Sequence, residues 1–121
     1  MKKILPGDIL LVADGKSLLA KGITEFMRQY CKINSYQYSR LYHHAAIAID
    51  YHGQTMIAEA IGRGWIIQQP ENAYTYQEWD DRVDIYRPEV PWSKKEVDRI
   101  SSLAVNYSLK ITRYDFMNFI F

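Results

Sequence analysis

"YHHAAIAIDYHGQTMIAEA", residues 42–60, decides the fold and raises the functional question. Two alternating apolar stretches, 44–50 and 54–61, flank His52-Gly53, the pattern of two antiparallel strands joined by a tight turn. A two-residue turn pairs Tyr51 with Gln54, Asp50 with Thr55, Ala48 with Ile57 and Ala46 with Glu59. Paired residues share a sheet face, and so do alternate residues along one strand. His44, Ala46 and Ala48 therefore lie on one face with Ile57, Glu59 and Ile61. Glu59 falls diagonal to His44, at a backbone separation of roughly 7–8 Å that long side chains can bridge. A four-residue loop keeps this register, whereas a three-residue loop would put the two on opposite faces.

A carboxylate beside an imidazole orients the ring and fixes its tautomer. That is the base-and-orienter half of a nucleophile–base–orienter triad. On pattern alone, a structural pair and a catalytic pair both remain open. Ala46 and Ala48 are too small to fill a core, so a helix end or a substrate must lie against them. His43 is expected on the other face as a surface or packing residue, and His52 in the turn is expected in solvent. Zinc needs about four converging ligands, and the three histidines, spread over two faces and a turn, do not supply them. Neither metal nor cofactor is expected.

Outward from the hairpin, "DILLVA" (8–13) lies between Pro6-Gly7 and Asp14-Gly15 and reads as a buried strand. Ser17 is an N-cap for an amphipathic helix whose core-facing stripe would be Leu19, Ile23, Phe26, Met27 and Tyr30. Residues 32–42 lack periodicity and read as a loop. Gly62-Arg63-Gly64 makes a turn into "WIIQQ" (65–69), a third strand closed by Pro70. A polar, aromatic-bearing loop runs from there to the strand "RVDIYRP" (82–88). Ser93 and Glu96 form a capping box for a last helix with Val97, Ile100, Leu103 and Ala104 as its stripe. The order strand, helix, consecutive strands, helix predicts an α+β domain with a small antiparallel sheet or half-barrel packed against helices.

The bulk properties bound the function. At 121 residues the chain is one domain, 1–121, with 48% hydrophobic and 24% charged residues, an ordinary globular balance. A net charge of +1, with no Lys/Arg block or stripe standing out, gives no electrostatic reason to expect nucleic acid or an anionic membrane as a partner. The single cysteine excludes an intramolecular disulfide. Pro6, Gly7 and Asp8 interrupt the opening apolar run before it reaches signal-peptide length, and no run approaches the ~20 residues of a membrane span. A soluble, cytoplasmic chain is the expectation.

"LPGDILLV", "HHAAIAID", "MIAEAIGRGWIIQQ", "VDIYRP" and the late "RYDF" together resemble the circularly permuted NlpC-like papain-fold hydrolases. The YiiX-type proteins and the lecithin retinol acyltransferase group belong to that branch. The resemblance covers nearly the whole chain and implies a permuted papain-like fold, with His44 as general base and Glu59 as its orienter. It implies hydrolysis of amide or peptide bonds, as in cell-wall peptide, or of lipid acyl esters. The family's nucleophile is a cysteine on a helix after the Tyr-Asp segment, here Tyr114-Asp115, and no cysteine follows before Phe121. The resemblance therefore implies a truncated or inactive member. Cys31 is no substitute: it ends its helix, where the dipole disfavours a thiolate, and it flanks the apolar stripe. A non-catalytic binding or assembly module of the same fold is the alternative. The apolar end "YDFMNFIF" would then dock on the domain, a second copy or a protein partner.

Overall fold

The computed structural model describes residues 2–61 and 64–110. Five strands, β1 (Ile9–Ala13), β2 (Tyr42–Tyr51), β3 (Gln54–Ile61), β4 (Gly64–Gln68) and β5 (Val83–Tyr86), form one sheet in the order β4-β3-β2-β1-β5. All four pairings are antiparallel. Helices α1 (Leu18–Ile33), α2 (Pro70–Ala73), α3 (Tyr76–Asp81) and α4 (Lys94–Lys110) complete the α+β domain.

The hairpin register is the one the two-residue turn dictates: Tyr51 pairs with Gln54 and Ala46 with Glu59. The turn works because both of its residues adopt left-handed backbone, His52 at φ 52° and Gly53 at φ 80°. That is the geometry that matches the twist of the flanking strands, and Gly53 enters it without a Cβ penalty. Asp50 Oδ1 accepts the Gly53 N–H at 3.0 Å and ties the turn to its strand.

Each sheet face has its own cover. On one face Leu10, Val12, Ala46, Ala48, Ile57 and Val83 pack with Trp79 of α3. The two alanines leave room for this indole, so a helix end fills the space they predicted. On the other face Ile49 and Ala58 pack with Ala104 of α4, and Ile47, Met56, Trp65, Ile67, Ile100 and Val105 close around them. Trp65 Nε1 donates to the Ala104 carbonyl at 2.9 Å, and the Asp50 N–H donates to Ser101 Oγ at 2.9 Å. The Ser93–Glu96 capping box that starts α4 forms as read from the sequence.

Two expectations need correction. Residues 70–81, read as a polar loop, contain α2 and α3. Pro70 opens α2, and Thr75 with Glu78 makes a capping box at α3. Each helix is too short for periodicity to show. The stripe assigned to the core on α1 is the second correction. Ala20 and Cys31 are the buried residues of α1, while Leu19, Phe26 and Tyr30 face solvent. The helix leans on the sheet with its flank, not with the centre of its apolar face. Leu103 of α4 is likewise exposed. The segment "YDFMNFIF" and its expected docking lie outside the described residues.

Candidate functional site

β2 and β3 bring His44 and Glu59 together on one face, as the register requires. His44 Nε2 stands 2.8 Å from Glu59 Oε1, the contact that a shared sheet face allows. Glu59 is only 4% exposed, so its carboxylate must find partners within the protein. Two of them are residues that the sequence reading did not single out. Gln68 of β4 donates Nε2–H to Glu59 Oε2 at 3.1 Å, and Tyr74, between α2 and α3, donates its hydroxyl to Oε1 at 3.4 Å. Burial, and then the adjacent Glu59 charge and hydrogen bond, push the Tyr74 hydroxyl well above the usual phenol range. It therefore stays a protonated donor at neutral pH. The ring of Tyr74 is held edge-on to Trp79, centroids 5.2 Å apart.

Nε2 faces Glu59 Oε1, and the tautomer that donates to this oxygen carries its proton on Nε2. Nδ1 is then the free nitrogen, with no hydrogen bond among the described residues. That nitrogen is the one able to take a proton from a nucleophile or water. The His44 side chain is 24% exposed, enough to meet an incoming group.

The pair borders a cavity of about 490 Å³ between α1 and the ends of β2 and β3, lined by Leu19, Ala20 and Ile23 on one side and by Ala60 and Ile61 on the other. The space exists because the strands part company here. The β2–β3 ladder begins at Ala46 and Glu59, and beyond that Ala60 and Ile61 pair with β4 alone among the described residues.

His43 also lines this cavity. In an unbroken strand it would stand clear of its neighbour's side, but the β1–β2 ladder slips here. Val12 pairs with His44 and Ala13 with Tyr42, leaving His43 as the extra residue of a bulge. Its Nε2 is buried without a hydrogen-bond partner. A Cβ placed on Gly15 would lie 2.5 Å from that atom, so only glycine fits beside the ring. Burial, reinforced by the neighbouring His44, holds the His43 ring below the ordinary histidine range, so it is neutral at pH 7. It is a packing residue with an unsatisfied atom. His52 is exposed, as expected for the turn.

Cys31 is buried near the C-terminal end of α1 and does not line the cavity. Among the described residues no group of three or more His, Cys, Asp or Glu is placed to hold a metal ion. No described helix is long and apolar enough to cross a membrane. No protein-family model matches the chain, and no curated protein or solved structure matches it.

Proposed function

We propose that the domain is a thiol-hydrolase-type unit of the permuted NlpC-like, papain-related class, acting on amide or acyl-ester bonds. His44 is its general base and Glu59 holds the ring. The observation that carries this reading is the 2.8 Å Nε2–Oε1 contact at the wall of an open cavity, with Nδ1 left free. In the reaction Nδ1 takes the thiol proton as the sulfur attacks the acyl carbon, and the imidazolium then protonates the departing amine or alcohol. Water, deprotonated by the same nitrogen, cleaves the acyl-thioester and regenerates the thiol. Cys31 is not that thiol, being buried and away from the cavity. On this reading the chain's single cysteine does not supply the thiol.

The position of Cys31 also favours a second reading, a binding or assembly module that uses the same cavity without chemistry. Supplying the thiol separates the two. With p-nitrophenyl esters and added 2-mercaptoethanol, a working base accelerates thiolysis. His44→Ala should then lower the rate by about a hundredfold or more, while Cys31→Ala leaves it unchanged. Equal rates for His44→Ala and the parent chain discard the hydrolase reading and leave the module.

A further inference from the structure

Three stripes interleave along the 16 residues of α1. Ala20, Met27 and Cys31 turn toward the domain, Ala20 and Cys31 being buried. Leu19, Ile23, Phe26, Tyr30 and Ile33, at the spacing of a single helical face, make the apolar stripe. Most of it is in water: Leu19 is 53% exposed, Phe26 64%, Tyr30 46% and Ile33 80%. Phe26 stacks on Tyr30, and Tyr30 meets Tyr36 of the following loop at 5.9 Å, so the aromatic surface runs on past the helix end. On the opposite face Lys21, Arg28 and Lys32 repeat at the same spacing against one acid, Glu25, with Lys16 just before the helix.

We propose that α1 is a lipid-surface contact, lying in the interface of an anionic bilayer with its apolar stripe inserted and its basic face among the head groups. An exposed apolar face rimmed with aromatics and backed by basic residues is the signature of an interfacial helix. The net charge of the whole chain, close to zero, averages over this local imbalance and hides it. A second copy fits less well. A 16-residue helix is about 24 Å long. A stripe roughly 10 Å wide along it offers about 240 Å², against the ~800 Å² per partner of a stable interface. The stripe also runs into the cavity of His44 and Glu59 through Leu19 and Ile23, so a seated bilayer would face the mouth of the site. The contact does not depend on His44 being a base.

Flotation with vesicles of phosphatidylcholine alone and of equal parts phosphatidylcholine and phosphatidylglycerol tests this. The chain should float with the mixed vesicles and far less with the neutral ones. The double variant Phe26→Ser, Ile33→Ser should bind at least about tenfold less. Lys21→Glu with Lys32→Glu should abolish the preference for anionic lipid. Phe26→Trp adds a reporter in the stripe beside the native Trp65, Trp79 and Trp92, and the emission it adds over the parent chain should move to shorter wavelength with the mixed vesicles. A chain that stays in solution with both vesicle types overturns the proposal, as does an unshifted Phe26→Trp emission. A dimer in light scattering that the serine variant abolishes, without flotation, overturns it in favour of a second copy.

Discussion

Glu59 is a carboxylate with almost no water, kept in place by an imidazole, an amide and a phenol. Each of those neighbours can donate, so an acceptor-only group suits the centre and an amide does not. Glu59→Gln turns an NH2 toward one of three donors and strands it. The expected cost is about 1–3 kcal/mol in urea unfolding, larger than for Tyr74→Phe, which removes one long contact at 3.4 Å. The neighbouring His43 acts through the other protonation state. Its folded form resists a charge, while the unfolded ring titrates near 6.5. The unfolded state therefore binds more protons below that value, and stability falls as pH drops from about 6.5 toward the lowered folded value. His43→Leu should flatten that part of the pH–stability profile, measured as melting temperature from pH 7 to pH 5. His44 and Glu59 were legible because register is arithmetic once the turn is known. Gln68 obeys the same arithmetic, sharing a face with Ile66 and hence with Glu59. A polar residue on an inward face of "WIIQQ" was the available signal. Tyr74 had none, since it arrives from a segment without periodicity.

At the scale of elements, α2 and α3 make a strap that carries two loads. Trp79 fills the space over Ala46 and Ala48, and Tyr74 reaches Glu59 while resting on the same indole. Trp79 Nε1 donates to the Pro70 carbonyl at 3.2 Å, which folds the strap onto itself. Trp79→Ala should cost about 3–5 kcal/mol and loosen the support of Glu59 as well. Thermal unfolding measures the first effect. The second should appear as a changed imidazole 15N tautomer signature of His44. The strap and α1 are where sequence and structure parted, for opposite reasons. A capping box at Thr75 and Glu78 was present but the helix it starts has only 6 residues, too few for a stripe. On α1 the periodicity was strong and correct for a helix, but periodicity reports an apolar face without naming what covers it. Strands β1 and β5 were read within a residue or two because punctuating glycine, proline and charged residues bound them tightly.

Over the whole molecule, the sheet is closed by residues far apart in sequence. Asp8, 1% exposed, accepts two hydrogen bonds from Arg87 at 2.8 and 2.6 Å and one from the Leu5 N–H at 2.7 Å. Burial alone would raise the Asp8 carboxyl, but the Arg87 and Leu5 hydrogen bonds and the Arg87 charge outweigh it and hold it below its usual 3.8. A lowered folded value contributes stability above about pH 3.8 that is lost as pH falls through and below it. Asp8→Asn should remove that acid dependence. It should cost about 1–3 kcal/mol at neutral pH, since the half-exposed Arg87 can turn to water. The strand order has a kinetic side. β2, β3 and β4 follow one another closely in sequence, whereas β1 must wait for β2 across α1 and for β5 across most of the chain. Closing the longer loops costs more entropy before any contact rewards it. On that ground the meander is the expected nucleus, with β1 and β5 expected to join after the rate-limiting barrier. Gly53→Ala should slow refolding, and Asp8→Asn should leave refolding untouched while hastening unfolding. The site would share that order: His44 and Glu59 lie on the hairpin whose closure is local, so they should meet before the distant strands arrive.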